Sequence, residues 1–349
     1  MFNQIGLALA GSKFLPIHYY YIKKILAYDR IHNLQMDSNI GEKKSNDYFP
    51  FFKIADDGTI ERYLPTEKIP PFDDPHTGVK SKDVLISSQP TLFARIFIPE
   101  IHALIAKLPI LLYFHGGGFS TKSACDALYH NYIASLVKAA HVIAVSVDYR
   151  LAPEDPIPAC YDDSWTAFQW LASHANGSGQ ETWLNTHGDF GQVFIGGDSA
   201  GANISYNLAV RVGSSSSLST LEIQGMIMVH PYLMGTIYDR VWLYLCPKNE
   251  GVKDARMEPR MEDMRSIACK RVIVSVAGKD PLRDTGLSFY NKLKNSGWKG
   301  NVRLVMTEGL GHVFHLFKPK SDQSLLLMKH LVSFIHNQQQ HDQLFRCRL

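Results

Sequence analysis

The chain has 349 residues, with 36 Lys+Arg against 33 Asp+Glu and a formal charge of +3. That balance is too weak for the basic footprint of a nucleic-acid binder, and 45% hydrophobic with 20% charged residues excludes disorder as the dominant state. No uncharged apolar run approaches the ~20 residues of a membrane-spanning helix, so the sequence predicts a soluble protein with neither a nucleic-acid partner nor a membrane span.

Cysteines occur at Cys125, Cys160, Cys246, Cys269 and Cys347, odd in number, scattered and never in a CxxC pair. That pattern argues against a disulfide framework and a structural zinc site, and for free thiols in a reducing compartment. Residues Ile5 to Ala10 are apolar, but no basic stretch precedes them, so no signal peptide is expected.

In chain order, residues 1–35 are aromatic and basic, with Tyr19-Tyr20-Tyr21 and Lys23-Lys24. They read as a packed N-terminal helix rather than a surface helix touching a membrane. Phe51 to Ile54 and Thr59 to Tyr63 flank Asp56-Asp57-Gly58, a hairpin signal. Residues 65–82 read as loop, and Val84 to Ile86 and Leu92 to Ile98 as strands. From there strands and helices alternate. Apolar runs at Pro109 to Phe114, Val142 to Val147, Val193 to Ile195, Gly225 to Val229, Val272 to Val276 and Val302 to Met306 suit a parallel sheet covered on both faces. Helices are expected over Tyr161 to His174, Ala200 to Val212, Asp284 to Ser296 and Ser324 to His336, and Ser214 to Ser217 as a flexible loop. Such alternation predicts a doubly wound α/β fold.

Gly197-Asp198-Ser199-Ala200-Gly201 is a G-x-S-x-G between the strand ending at Ile195 and the helix from Ala200. This is the context of the nucleophile elbow of α/β-hydrolases, in which glycines clear a strained strand-to-helix turn and leave the serine hydroxyl projecting. Ser199 is the expected nucleophile. His115-Gly116-Gly117-Gly118-Phe119 follows another buried strand. Three glycines let backbone N–H groups approach a substrate oxygen, and each donor to a developing oxyanion supplies a rate factor of ~10²–10³. The N–H of Ala200 is expected to complete that hole. A phosphate-binding loop is disfavoured, because neither GxGxxG nor GxxxxGK[ST] can be written here.

In this fold the triad runs Ser, acid, His. Asp280 follows the strand Arg271 to Val276 at its carboxyl end, where sites of open sheets gather, while Asp284 reads as a surface or helix-start charge. Glu308-Gly309-Leu310-Gly311-His312 forms the loop after the strand Val302 to Met306, so His312 is the expected general base and His315 its competitor. A metal at His312 and His315 is disfavoured, for no third ligand is apparent and HExxH is missing.

Together these residues resemble one family, the plant carboxylesterases of the hormone-sensitive-lipase-like group of α/β-hydrolases. The resemblance runs from about Met36 to the final helix. It rests on Tyr113 to Phe119, on Asp148-Tyr149-Arg150-Leu151-Ala152-Pro153-Glu154, on Gly197 to Ile204, on Ser296-Gly297-Trp298 and on His312-Val313-Phe314-His315. It implies a cytosolic, cofactor-free serine esterase acting on small ester molecules. The implied fold is a mostly parallel eight-stranded sheet with helices on both faces and a helical cap. It also implies that the first histidine of the His312 motif is catalytic and that Gly116 and Gly117 are the main oxyanion donors of a hole that also includes Gly118 and Ala200, with His115 and Asp198 as motif support. The same family includes a gibberellin receptor that has lost the catalytic histidine. It also includes isoflavonoid-type dehydratases, some with threonine for the nucleophile. A chain keeping both Ser199 and His312 is expected to hydrolyse, with lyase and receptor as the alternatives. Arg150 and Glu154 are expected to hold their loop, and Asp162 and Asp163 to start or face the helix carrying Trp165, Phe168 and Leu171.

Two departures stand out. The segment from His230-Pro231-Tyr232-Leu233 to Trp242 is shorter than the family's usual connection, which bears on the cap and the acyl pocket. Family members begin near a sequence like Met36-Asp37-Ser38, so residues 1–35 are expected to be an N-terminal extension, serving as cap or preceding the native start, and 36–349 a single α/β-hydrolase domain.

Overall fold

The computed structural model describes residues 46–75, 77–101, 107–215, 221–233 and 239–337. Contacts divide the chain into two compact units after Tyr63. The helix expected over 1–35 lies outside the described residues.

In the first unit, β1 (Asp47–Tyr48), β2 (Phe52–Ile54) and β3 (Ile60–Arg62) form a small antiparallel sheet in that order. The β2–β3 hairpin is the one expected around Asp56-Asp57-Gly58. Gly58 takes φ +85°, which a side chain rarely adopts, and Asp57 Oδ1 accepts the Thr59 N–H at 2.9 Å.

The second unit is built on one sheet of β4 (Lys80–Ser88), β5 (Thr91–Ile98), β6 (Leu108–Phe114), β7 (Ile143–Asp148), β8 (Gly188–Asp198), β9 (Ile223–Val229), β10 (Cys269–Ala277) and β11 (Asn301–Thr307). Their order is β11-β10-β9-β8-β6-β7-β5-β4. Only β4 with β5 and β5 with β7 pair antiparallel, the remaining pairs being parallel. The residue pattern explains that split. Every residue of β9 and all but Pro109 of β6 are buried, as a strand covered on both faces requires. Edge strand β4 alternates instead between covered and exposed positions, the signature of a sheet wet on one side.

Nine α-helices are described: α1 (Ala127–Ala140), α2 (Ala159–Ala175), α3 (Thr182–His187), α4 (Ala200–Ser214), α5 (Asp239–Leu245), α6 (Met261–Arg265), α7 (Arg283–Asn295), α8 (Phe314–Phe317) and α9 (Asp322–Ile335). Four of them, α2, α4, α7 and α9, are the expected helices, with ends shifted by at most two residues. α1 was not anticipated from the sequence. Asp126 caps it by accepting the Leu128 N–H at 2.9 Å, and it buries Tyr129, Tyr132, Ile133, Leu136, Val137 and Ala140. Each of the larger of these side chains contributes about 1.5–3 kcal/mol on burial.

The helices cover both faces of the sheet. Side chains of α1, α8 and α9 share a core with Phe97, Leu111, Tyr113, Phe194, Ile227 and Ile273. On the opposite face Gly286 of α7 lies against Val276, and Tyr206 of α4 meets Phe289 of α7 edge-on at 5.3 Å. Between β9 and β10 the described helices are short: α5, α6 and a single 3₁₀ turn at Gly251–Lys253. Residues 234–238, at the heart of the segment read as short, and the N-terminal residues expected to contribute to a cap lie outside the described residues. The carboxyl ends of the parallel strands β6, β8, β10 and β11 open on the same edge, where open α/β sheets place their ligands.

Candidate active site

Ser199 sits at the turn from β8 into α4 with φ 52° and ψ −118°, a conformation outside the ordinary allowed regions. Holding a non-glycine residue there costs about 1–3 kcal/mol and needs a surrounding that fixes it. Three backbone bonds do so. The Ser199 N–H donates to Val229 O at 2.9 Å, while its carbonyl accepts from Tyr232 N at 2.9 Å and Asn203 N at 3.2 Å. The flanking glycines have a steric reason. A Cβ on Gly197 or on Gly201 would collide with the Phe114 carbonyl oxygen at the end of β6.

The structure brings all three expected triad residues together. His312, in the loop after β11, places Nε2 2.9 Å from Ser199 Oγ and Nδ1 2.8 Å from Asp280 Oδ2. Asp280, three residues past β10, is buried, and its other oxygen accepts the Leu282 N–H at 2.9 Å. An ionised carboxylate only accepts, so His312 Nδ1 holds the proton and Nε2 is left as the acceptor facing the serine. Burial works against the imidazolium of His312, but the Asp280 charge, its hydrogen bond and the Asp198 charge outweigh that and raise its pKa above the ordinary value. Asp280 moves the other way: burial favours its neutral form, and the His312 charge and hydrogen bond overcome this and hold its pKa low.

His315 has no such partners. It is buried, neither ring nitrogen has a hydrogen-bond partner among the described residues, and it packs against Tyr132 and His230 at ring separations of 4.8 and 5.7 Å. Burial pushes its pKa well down, so it stays a neutral packing group. Asp284 is exposed and pairs with its neighbour Arg283 at 2.8 Å. Arg150 binds the buried Asp163 through Nε and Nη2, and Asp163 also accepts the Arg150 backbone N–H at 2.8 Å, so this pair holds the loop after β7.

The glycine loop after β6 departs from expectation at one residue. The N–H of Gly116, anticipated as a main oxyanion donor, is already given to the Tyr129 hydroxyl at 2.8 Å. That hydroxyl donates onward to Asp198 Oδ2 at 2.8 Å, and the Tyr113 hydroxyl donates to Asp198 Oδ1 at 2.7 Å. Asp198 thus sits buried beneath the elbow with both oxygens occupied. Burial raises its pKa, with the two tyrosine hydrogen bonds opposing. By contrast, no acceptor among the described residues takes the N–H of Gly117, Gly118 or Ala200. Gly117 and Gly118 adopt φ 110° and 59°, and the Gly117 carbonyl accepts from Ser120 N and Thr121 N at 3.1 and 3.0 Å, which closes the loop upon itself. His115 supports the loop from below: it stacks on Tyr149 at 4.3 Å, and its carbonyl accepts the Tyr149 hydroxyl at 2.7 Å.

Tyr113, Tyr129 and His230 were not singled out from the sequence as site residues. Tyr129 lies on the unanticipated α1, whose Asp126 cap and apolar spacing from Tyr129 through Ile133 to Val137 were signals available for it. His230 follows directly on β9 at the sheet's carboxyl edge, the same rule that located Asp280. Among the described residues, His230, Asp280 and His312 group their ligand-type atoms within 4.8 Å. Those atoms already have protein partners: Asp280 Oδ2 is held by His312, and His230 Nδ1 accepts the Val313 N–H at 2.8 Å.

A family model for the alpha/beta hydrolase fold matches residues 111–316. Probable carboxylesterase 5 of Arabidopsis thaliana is 41% identical over 313 residues, covering 83% of this chain and 98% of that protein. A 2-hydroxyisoflavanone dehydratase of Glycyrrhiza echinata is 38% identical over 309 residues, covering 82% and 94%. Among solved structures, the thermostable carboxylesterase EstE1 from a metagenomic library superposes with a TM-score of 0.62 at 24% identity, over 78% of this chain and 90% of that one. At that identity the likeness speaks for the fold alone. On the family match and the shared length of its relatives, the chain belongs to the plant carboxylesterase family of α/β-hydrolases.

Proposed function

We propose that the chain hydrolyses small hydrophobic carboxylic esters through an acyl-enzyme on Ser199. His312 Nε2 takes the Ser199 hydroxyl proton as Oγ forms a bond to the ester carbonyl carbon, and the carbonyl oxygen becomes an oxyanion. Its donors are the N–H groups of Gly117, Gly118 and Ala200, which have no other acceptor among the described residues. His312 then returns the proton to the departing alkoxide as the C–O bond breaks. In the second half a water attacks the acyl group with His312 again as base, and Ser199 Oγ leaves as the hydroxyl. Asp280 keeps His312 in the right tautomer and stabilises its charged form.

One observation supports this reading above the others: His312 bridges Ser199 Oγ at 2.9 Å and Asp280 Oδ2 at 2.8 Å from opposite ring nitrogens. The test is a panel of p-nitrophenyl esters of graded acyl length, with fluorophosphonate labelling and Ser199→Ala alongside. Turnover that survives Ser199→Ala would refute the acyl-enzyme. Among the described residues four cysteines are free, in keeping with the scattered, unpaired spacing of the cysteines in the sequence, and we infer a reducing compartment and a cytoplasmic location.

The dehydratase relative motivates a second reading. Elimination of water needs a base and an oxyanion site but no nucleophile, so a lyase would keep activity on a hydroxy-ketone in Ser199→Thr. An esterase would be crippled by a β-branched residue at this strained elbow. A hormone receptor would bind without turnover and ignore the fluorophosphonate, which the presence of His312 beside Ser199 disfavours.

A further inference from the structure

His230 is a buried titratable group beside the triad that the proposed mechanism leaves unused. It follows directly on β9 with φ 48°, its N–H donates to Ser275 O at 2.8 Å, and its ring is fully enclosed. The ring centre lies 5.9 Å from that of His312, 5.4 Å from Phe314 and 5.7 Å from His315, with Nδ1 4.0 Å from Asp280 Oδ2. Nδ1 accepts the backbone N–H of Val313, the residue after His312, at 2.8 Å. An accepting Nδ1 puts the proton of the neutral ring on Nε2, and Nε2 is buried with no partner among the described residues. A buried, unanswered donor is costly, so mere space-filling would be better served by an apolar side chain of the same size.

The bond lands on a strained residue. Val313 takes φ 44° and ψ 37°, a left-handed conformation that is an outlier for a β-branched side chain. Such a conformation relaxes unless something fixes it, and relaxation at Val313 would swing His312 relative to Ser199. Burial, opposed by the Asp280 charge and helped by the His312 charge, pushes the His230 pKa down to about 4. The ring therefore stays a neutral acceptor wherever the triad works.

We propose that His230 is a positioning residue for the ester hydrolysis inferred above, on which this proposal rests: its Nδ1 pins the Val313 N–H and so holds the His312 loop where Nε2 reaches Ser199.

The test compares two polar variants. His230→Asn places a carbonyl oxygen near the Nδ1 position, whereas His230→Gln carries its acceptor out toward Nε2, away from Val313. Both face the same burial. On p-nitrophenyl acetate, His230→Asn should stay within about fivefold of the wild-type kcat, while His230→Gln should lose about 10²-fold, the scale of an ångström-sized misplacement. KM should hold in both, and the fluorophosphonate labelling rate should follow kcat. Equal kcat in the two folded variants, or losses that track only their melting temperatures, would overturn the proposal. The wild-type protein offers a readout that needs no variant. Its ¹⁵N spectrum should show His230 with Nε2 protonated and Nδ1 bare across the active pH range, and a protonated Nδ1 there would overturn it too. A wild-type chain that neither turns over nor labels would remove the esterase reading and this proposal with it. An active wild type with equal Asn and Gln variants removes this proposal alone.

Discussion

At His312 two opposing effects meet: burial disfavours the charged ring, and the carboxylates of Asp280 and Asp198 favour it strongly enough to raise its pKa. A general base works only when neutral, so kcat/KM should fall as pH drops through that raised pKa. The acid limb should therefore lie above the ~6.5 of an unperturbed histidine. Asp280→Asn removes the larger charge, so it should move the limb to lower pH while cutting kcat by about 10⁴-fold, as when the acid of a serine-protease triad is neutralised. A pH–rate profile of both proteins checks the sign, and a limb that stays put in Asp280→Asn would count against the pairing. Ser199→Ala and His312→Ala should each lose about 10⁴–10⁶-fold in kcat, and the double variant scarcely more, because the two act as a unit. Kinetics of the three variants decide it, with His315→Ala as the control expected to keep the triad working.

The elbow belongs to the interlock of β6, β8 and α4 rather than to Ser199 alone. Because a Cβ on Gly201 would strike the Phe114 backbone, Gly201→Ala must push helix from strand. It should cost about 1–3 kcal/mol of stability and slow fluorophosphonate labelling. A variant that melts and labels like the wild type would show that the contact is not tight. Helix α1 acts through Tyr129. Tyr129→Phe frees the Gly116 N–H and takes one donor from the buried Asp198, at a cost of about 1–3 kcal/mol, read by denaturant unfolding. The same contrast explains what the sequence disclosed. Ser199 was legible because its elbow is set by its immediate neighbours, and Asp280 because it follows a recognisable strand. His312 was legible over His315 by its place in the loop after β11, with the motif as independent support, and the structure separates the two by their partners. Gly116 departs from expectation because its donor is committed to a tyrosine 13 residues away on α1. His230 was missed because what it holds lies 83 residues downstream. Local turn chemistry is written in consecutive residues, whereas the commitments of single donors are settled by tertiary packing.

For the molecule as a whole, the triad, the glycine loop and the eight-stranded sheet all fall within the unit from Leu64 onward, while residues 1–35 fall outside the family resemblance. A chain beginning at Met36 keeps every strand described, including the small sheet from Asp47 to Arg62. It should therefore fold and hydrolyse p-nitrophenyl acetate with a kcat/KM within about twofold of the full chain, the scale of a change far from the chemistry. Acyl length gives the experiment its resolving power. Binding energy from remote parts of a substrate is expressed as kcat/KM, so a segment that covers the site would matter for long acyl groups and hardly at all for acetate. If residues 1–35 serve as cap, the shortened chain should lose activity progressively from butyrate to longer esters while the acetate rate holds. If they do not, the two acyl-length profiles should superimpose. Loss of activity on every ester, or an insoluble product, would show instead that these residues are needed to build the fold, and the prediction would fail.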